Sequence, residues 1–172
     1  MRKHRLFWPL LLTLVLADCT TKRMAVEHLT PPHVPHEVIG DAVRFTLAYN
    51  PGAAFSLSLG PHSRWAFTVL TLIVLGVLAW LYGRTRPNDR WQAVALACVS
   101  GGATGNLLDR LRSSRGVVDF IDLGIGAARF WTFNLADVAV TTGAVLLAIR
   151  LLREEREMEA ARRALPGDPE RA

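Results

Sequence analysis

GGATGNLLDR (101–110), VVDFIDLGIG (117–126) and TFNLADVAV (132–140) place Asp109, Arg110, Asp119, Asp122, Asn134 and Asp137 inside, or at the mouth of, apolar segments. A carboxylate near the hydrocarbon of a bilayer costs several kcal/mol unless it is paired, hydrated or used, so an ionisable residue there is a functional hypothesis by default. The rule applies only if these segments lie in a membrane. No charged residue occurs between Arg64 and Arg84, and none between Arg90 and Asp109. Each run is long enough to cross the hydrocarbon, which takes about 20 helical residues at about 1.5 Å rise each.

Bulk composition agrees. The 172 residues are 51% hydrophobic and 8% aromatic, with 20 Lys+Arg against 15 Asp+Glu. The excess of basic residues forms no stripe for nucleic acid. It punctuates long uncharged runs, as the loops of a membrane protein do. Cys19 and Cys98 both fall in apolar segments, which argues against a disulfide framework or a metal cluster.

Four spans are expected, at about 6–25, 63–82, 91–111 and 132–152, making a membrane bundle of four transmembrane helices. Basic residues at 2–5, 84–90 and 150–163 put both termini in the cytoplasm, although Arg112, Arg115 and Arg129 fall on the other side. Leu16-Ala17-Asp18-Cys19 looks like a lipid-attachment site, but Asp18 stands where a small residue should precede the Cys, and three spans follow. Asp18 and Lys22 instead share one face of a first helix, acid first, the favourable order for an ion pair. The first outer connection, about 27–62, contains prolines at 31, 32 and 35 that preclude helix. Its residues 37–50 alternate in part and predict one or two short strands. His28, His33, His36 and His62 are too irregularly spaced for a zinc site. Gly101, Gly102, Ala103 and Gly105 permit close helix approach in the third span. The second outer connection is about 112–132. A four-helix membrane domain is thus expected over 1–152, with 153–172 a charged cytoplasmic tail forming a solvated helix.

The polar groups collect at one depth, near the outer lipid–water boundary. Asp137 is expected roughly 9 Å into the fourth span, six residues from its outer end. A channel lining would be polar along its whole length instead. Asn106 and Arg110 share a face suited to holding peptide carbonyls; Asn134 and Asp137 share another. Two carboxylates close together in low dielectric cannot both ionise readily, so one activates water while the other donates a proton. Spacing alone leaves the pair open. Asp109 could bridge to Arg110, Asp122 could be a surface acid, and Asp137 is the best single candidate.

Five blocks, in order, resemble the motif set of the bacterial lipoprotein signal peptidases (signal peptidase II). They are Asp18-Cys19-Thr20-Thr21-Lys22, Asn50-Pro51-Gly52-Ala53-Ala54-Phe55, Gly105-Asn106-Leu107-Leu108-Asp109-Arg110, Val118-Asp119-Phe120 and Phe133-Asn134-Leu135-Ala136-Asp137. The likeness spans about residues 5–152. Cys19 departs from the family's usual Gln. The resemblance implies a multi-pass aspartic endopeptidase of the bacterial cytoplasmic membrane, its site near the outer face. It would cut diacylglyceryl-modified prolipoproteins before the lipid-bearing Cys. Asp119 and Asp137 would be the catalytic pair. Asn50, Gly52, Asn106, Arg110 and Asn134 would line the substrate site, Asp109 would support Arg110, and Asp18 with Lys22 would brace the first helix. A small β-rich extracytoplasmic cradle and a surface helix from the second outer connection are implied too, as is inhibition by globomycin-type peptides. No metal or cofactor is implied, and the partners are the prolipoprotein and membrane lipid. One chain already holds both aspartates, so a monomer is expected.

Overall fold

A computed structural model describes residues 2–51 and 60–163. In chain order the elements are helix α1 (Arg2–His28), strands β1 (Pro35–Ile39) and β2 (Val43–Asn50), a single 3-10 turn (Gly60–His62), helices α2 (Ser63–Arg84) and α3 (Arg90–Arg112), strands β3 (Val117–Ile125) and β4 (Ala128–Arg129), and helix α4 (Leu135–Arg163). The four helices overlap the expected spans, with α1 and α4 running beyond them, α4 as far as Arg163; of the two short strands, β2 falls within the expected 37–50 and β1 begins earlier, at Pro35.

Each helix end has a local cause. Prolines 31 and 32 stop α1 shortly after His28. At the end of α2, Lys3 reaches across from α1, and its ammonium donates to the carbonyl of Thr85 at 2.7 Å and to that of Tyr82 at 3.0 Å, which also accepts the capping bond from Thr85 N. Asp89 caps α3 by accepting from Gln92 N at 2.9 Å. Arg64 donates to the Arg110 and Ser113 carbonyls at the far end of α3.

Helix α3 is the hub. Buried Leu96 and Ala97 pack with Phe7 of α1 and Leu78 of α2, while Gly102 and Gly143 bring α3 and α4 into backbone contact. Helices α2 and α4 are long and apolar enough to cross a membrane. Val69, Leu70, Leu72, Ile73 and Val77 of α2 are exposed, a surface that hydrocarbon solvates better than water.

The strands form one antiparallel sheet in the order β1-β2-β3-β4. It joins the bundle through a core of Ala25, Leu47, Val118 and Phe120. Two expectations are corrected here. The second outer connection supplies no surface helix among the described residues; its VVDFIDLGI is strand β3, held between β2 and the chain at Phe133. Asp122 is no surface acid. It is 5% exposed, ion-paired to Arg44 at 2.9 Å and Arg129 at 2.7 Å, and accepts from Thr46. Burial opposes ionisation of Asp122, yet these hydrogen bonds hold its carboxyl below the ordinary carboxylate range. A lowered value means stability that is present at neutral pH and is lost as pH falls through that lowered value. Asp122→Asn is expected to cost about 2 kcal/mol, read as a lower melting temperature at pH 7 and a smaller difference from the parent protein at strongly acid pH. An unchanged melt would remove this role.

Candidate active site

The carboxyl of Asp137 is positioned by the start of α4. Asn134 and Asp137 form a reciprocal cap: Asp137 N donates to Asn134 Oδ1 at 3.0 Å, and Asn134 N donates to Asp137 Oδ2 at 3.1 Å. Asp137 therefore stands in the first turn of α4, three residues into the helix, and is shallower than the expected six. The Asn-Leu-Ala-Asp signal is present in the sequence. Reading 132–152 as one span conceals it. The positive end of the helix dipole favours a negative charge at this position. A third free N–H of that turn, Ala136 N, donates to Asp18 Oδ1 at 2.9 Å, which ties α1 to the start of α4.

Asp119 arrives from β3. Pairing with β2 sets it opposite Ala48, near Asn50 at the strand end. Amides of Phe120 and Ile121 donate to the Phe133 carbonyl at 3.0 and 2.8 Å, which docks β3 against the residue before the α4 cap. Asn134 Nδ2 then donates to Asp119 Oδ1 at 2.6 Å. Asp119 is 4% exposed and Asn134 fully buried. Burial first, and then the nearby Asp137 charge, raise the Asp119 carboxyl to about 7, against hydrogen bonds from Asn134 and Asn50.

Asn106, on α3, links the two carboxylate environments. Its Nδ2 donates to Asp137 Oδ1 at 2.8 Å, and its Oδ1 accepts from Asn134 Nδ2 at 3.1 Å. Asp119, Asp137, Asn106, Asn50 and Arg110 all line one cavity of about 930 Å³. Phe130, Trp131 and Val138 add an apolar wall that sequence reasoning does not single out. Arg110 Nε is buried with no hydrogen-bond partner among the described residues. A guanidinium so placed has donors to spare for a guest carbonyl.

The remaining expected site residues divide. Asp18 and Lys22 do form an ion pair, at 2.8 Å. Asp109 does not bridge to Arg110 among the described residues; it pairs with Lys22 at 3.0 Å and accepts from Val118 N at 3.1 Å. Its place on α3 aims it toward α1 and the foot of β3. Gly52 lies outside the described residues. Among the described residues no group of three His, Cys, Asp or Glu is arranged to hold a metal ion.

Known proteins match this chain over most of its length. A family model described as signal peptidase (SPase) II matches residues 10–153. The lipoprotein signal peptidase of Pseudomonas paraeruginosa (strain DSM 24068 / PA7) is 43% identical over 127 residues, 72% of this chain and 75% of that protein. That of Mycobacterium avium (strain 104) is 42% identical over 156 residues, covering 86% and 79%, and that of Pseudomonas fluorescens 38% over 161, covering 92% and 94%. Two solved bacterial membrane enzymes, determined by the in meso method at 2.3 and 1.9 Å resolution, superpose with TM-scores of 0.72 and 0.69. Sequence identities are 30% and 31%, over 85% and 83% of this chain and 87% and 90% of theirs.

Proposed function

The chain belongs to the signal peptidase II family, and from that membership we propose that it is an aspartic endopeptidase cutting diacylglyceryl-modified prolipoproteins before the lipid-bearing Cys. Family membership supports a protease that removes signal peptides from prolipoproteins. The observation that carries the finer reading is the single cavity into which β3 and α4 bring Asp119 and Asp137, with Asn134 bonded to both.

The chemistry follows from unequal surroundings. Both oxygens of Asp137 accept N–H donors, from Asn106 and from Asn134, so Asp137 is the ionised member and takes a proton from water. Asp119, raised to about 7, holds the proton and donates it to the scissile carbonyl oxygen as water adds to the carbon. Collapse of the tetrahedral intermediate breaks the C–N bond, passes a proton to the leaving amine of the lipidated Cys, and frees the signal peptide as a carboxylic acid. Arg110 and Asn50 would hold the substrate backbone. All four helices would cross the cytoplasmic membrane, with both termini inside and the sheet outside. The lipid on the substrate would then hold the scissile bond at the level of the cavity.

The test is a processing assay with purified protein on lipid-modified and unmodified forms of one precursor. We expect cleavage of the modified form, at least about tenfold slower cleavage of the other, and a rate that falls as pH rises through about 7, where Asp119 loses its proton. Equal cleavage of both precursors would overturn the lipid requirement. A rate flat from pH 5 to 9 would overturn the acid role of Asp119.

A further inference from the structure

Lys22 is 3% exposed, and its ammonium faces three oxygens. Asp18 Oδ2 lies at 2.8 Å and Asp109 Oδ2 at 3.0 Å, and Lys22 donates to Asn106 Oδ1 at 2.8 Å. The first two contacts suffice to neutralise the buried cation. The third has a different consequence, because an ammonium can only donate. Whichever Asn106 amide atom faces Lys22 must be the oxygen, so the NH2 must face Asp137, where it donates to Oδ1 at 2.8 Å. With the oxygen fixed, Asn134 Nδ2 finds its acceptor on Asn106 at 3.1 Å while also donating to Asp119 Oδ1.

We propose that Lys22 is a positioning residue for the hydrolytic pair: from α1 it locks the Asn106 amide so that donors, never acceptors, face both carboxyls. The inference rests on the reading of Asp119 and Asp137 as that pair. The reciprocal cap holds Asn134 independently. It leaves the Asn106 oxygen with only one neutral bond, and the charge-assisted bond from Lys22 is the stronger of the two. Removing it lets the amide turn and present its oxygen to the Asp137 carboxylate, a repulsive contact. The charged groups facing this chain of bonds are Asp18 and Lys22 of α1, Asp109 and Arg110 of α3, Asp119 of β3 and Asp137 of α4. Lys22 also lowers the Asp119 carboxyl through its charge.

The experiment uses full-length protein in detergent micelles with a lipid-modified precursor. It compares Lys22→Met, Asn106→Ala and their double variant, recording kcat, KM and pH profiles. Lys22→Met is expected to lower kcat at least about tenfold with KM changed less than about threefold. The alkaline limb of kcat should move to higher pH, because the charge that held Asp119 down is gone. In the Asn106→Ala background, removing Lys22 should change kcat less than about twofold, since the two act through one bond. Thermal melts accompany each variant. If Lys22→Met fails to fold, Asp18→Asn/Lys22→Met, which keeps the net charge, supplies the same readings. A purely structural role would lower the amount of active enzyme without moving the limb, and would leave the two substitutions additive; either result overturns the proposal. If Asp119→Asn and Asp137→Asn process precursor at the parent rate, the underlying reading falls and this one with it. If both are inactive while Lys22→Met keeps its rate and limb, only the role of Lys22 is overturned.

Discussion

Asp119→Asn is expected to abolish processing and, at pH 8, to melt at a higher temperature than the parent protein. The first half follows from removing a general acid, whose contribution to rate is about 10²–10⁴-fold. The second follows from the direction in which Asp119 is displaced. Its carboxyl lies above the ordinary 3.8, at about 7, because burial and the neighbouring Asp137 disfavour its charge. A raised value means a contribution to stability that is fully present below the ordinary carboxylate value and is lost as pH rises through about 7. At pH 8 the folded protein therefore carries an ionised, buried carboxylate that the amide variant lacks. The difference is on the order of a few kcal/mol at pH 8 and much smaller at pH 5. The bond from Asn134 Nδ2 survives, since the carbonyl oxygen of the introduced amide can still accept it, and the Asn50 side-chain amide, which also bonds Asp119, can turn its oxygen to the new NH2. Asp137→Asn should be equally inactive but less stable, because one of its two oxygens, each accepting an N–H, becomes an NH2 facing a donor. Melts of both variants at pH 5 and 8, beside the processing assay, read the contrast. Two variants destabilised alike at pH 8 would mean that these acids serve the fold and not the reaction.

Such a trade of stability for chemistry is visible in the sequence only as a tension, carboxylates standing among apolar residues. How much more is legible depends on sequence distance. The ends of α2 and α3 lie within about two residues of expectation, because arginines, Asp89 and Pro87 bracket uncharged runs. Helix α1 runs from Arg2 to His28, beyond the apolar window at both ends; Arg2, Lys3, Arg23 and Glu27 are good helix formers that hydropathy discounts. Strand β3 escapes sequence reasoning for a different reason. Val117, Val118, Asp119 and Phe120 are all buried, so no alternation marks them as strand, and the partner strand β2 lies some seventy residues earlier. Asp122 reads as a surface acid for the same cause, since Arg44 is 78 residues away. The Asp18 and Lys22 pair is legible at helical spacing. The bond from Lys22 to Asn106 spans 84 residues and leaves no local trace. Asn134 and Asp137 carry a local signal that points to a helix start, and a hydropathy reading places them deeper than they are.

The glycines at the α3–α4 seam support the second large effect, which Gly102→Val should produce. A Cβ at position 102 would overlap the Ala136 carbonyl oxygen and lie 2.8 Å from Val140 Cγ2, and one at 143 would meet the Ala95 carbonyl at 2.6 Å. The two helices touch through backbone there, and Ala136 sits beside Asp137 at the head of α4. A valine at 102 must therefore push α4 away by on the order of 1 Å, since the obstructing atom is main chain and cannot rotate aside. The Asn106 bond to Asp137 is 2.8 Å long and cannot survive a shift that carries it past about 3.5 Å. Overpacking of this kind costs about 1–3 kcal/mol, while a misplacement of about 1 Å in a catalytic group can cost about 10²-fold in rate. Processing should thus fall far more than stability does. Gly76→Val is the matched control. It lies on α2, and a Cβ there meets nothing within 4 Å, so the same substitution should leave the rate within about twofold. Rates and melts of the two valine variants, measured side by side, decide the matter. A Gly102→Val protein that cleaves precursor at the parent rate would show that close approach of α3 and α4 is not what brings the amide to the carboxylate.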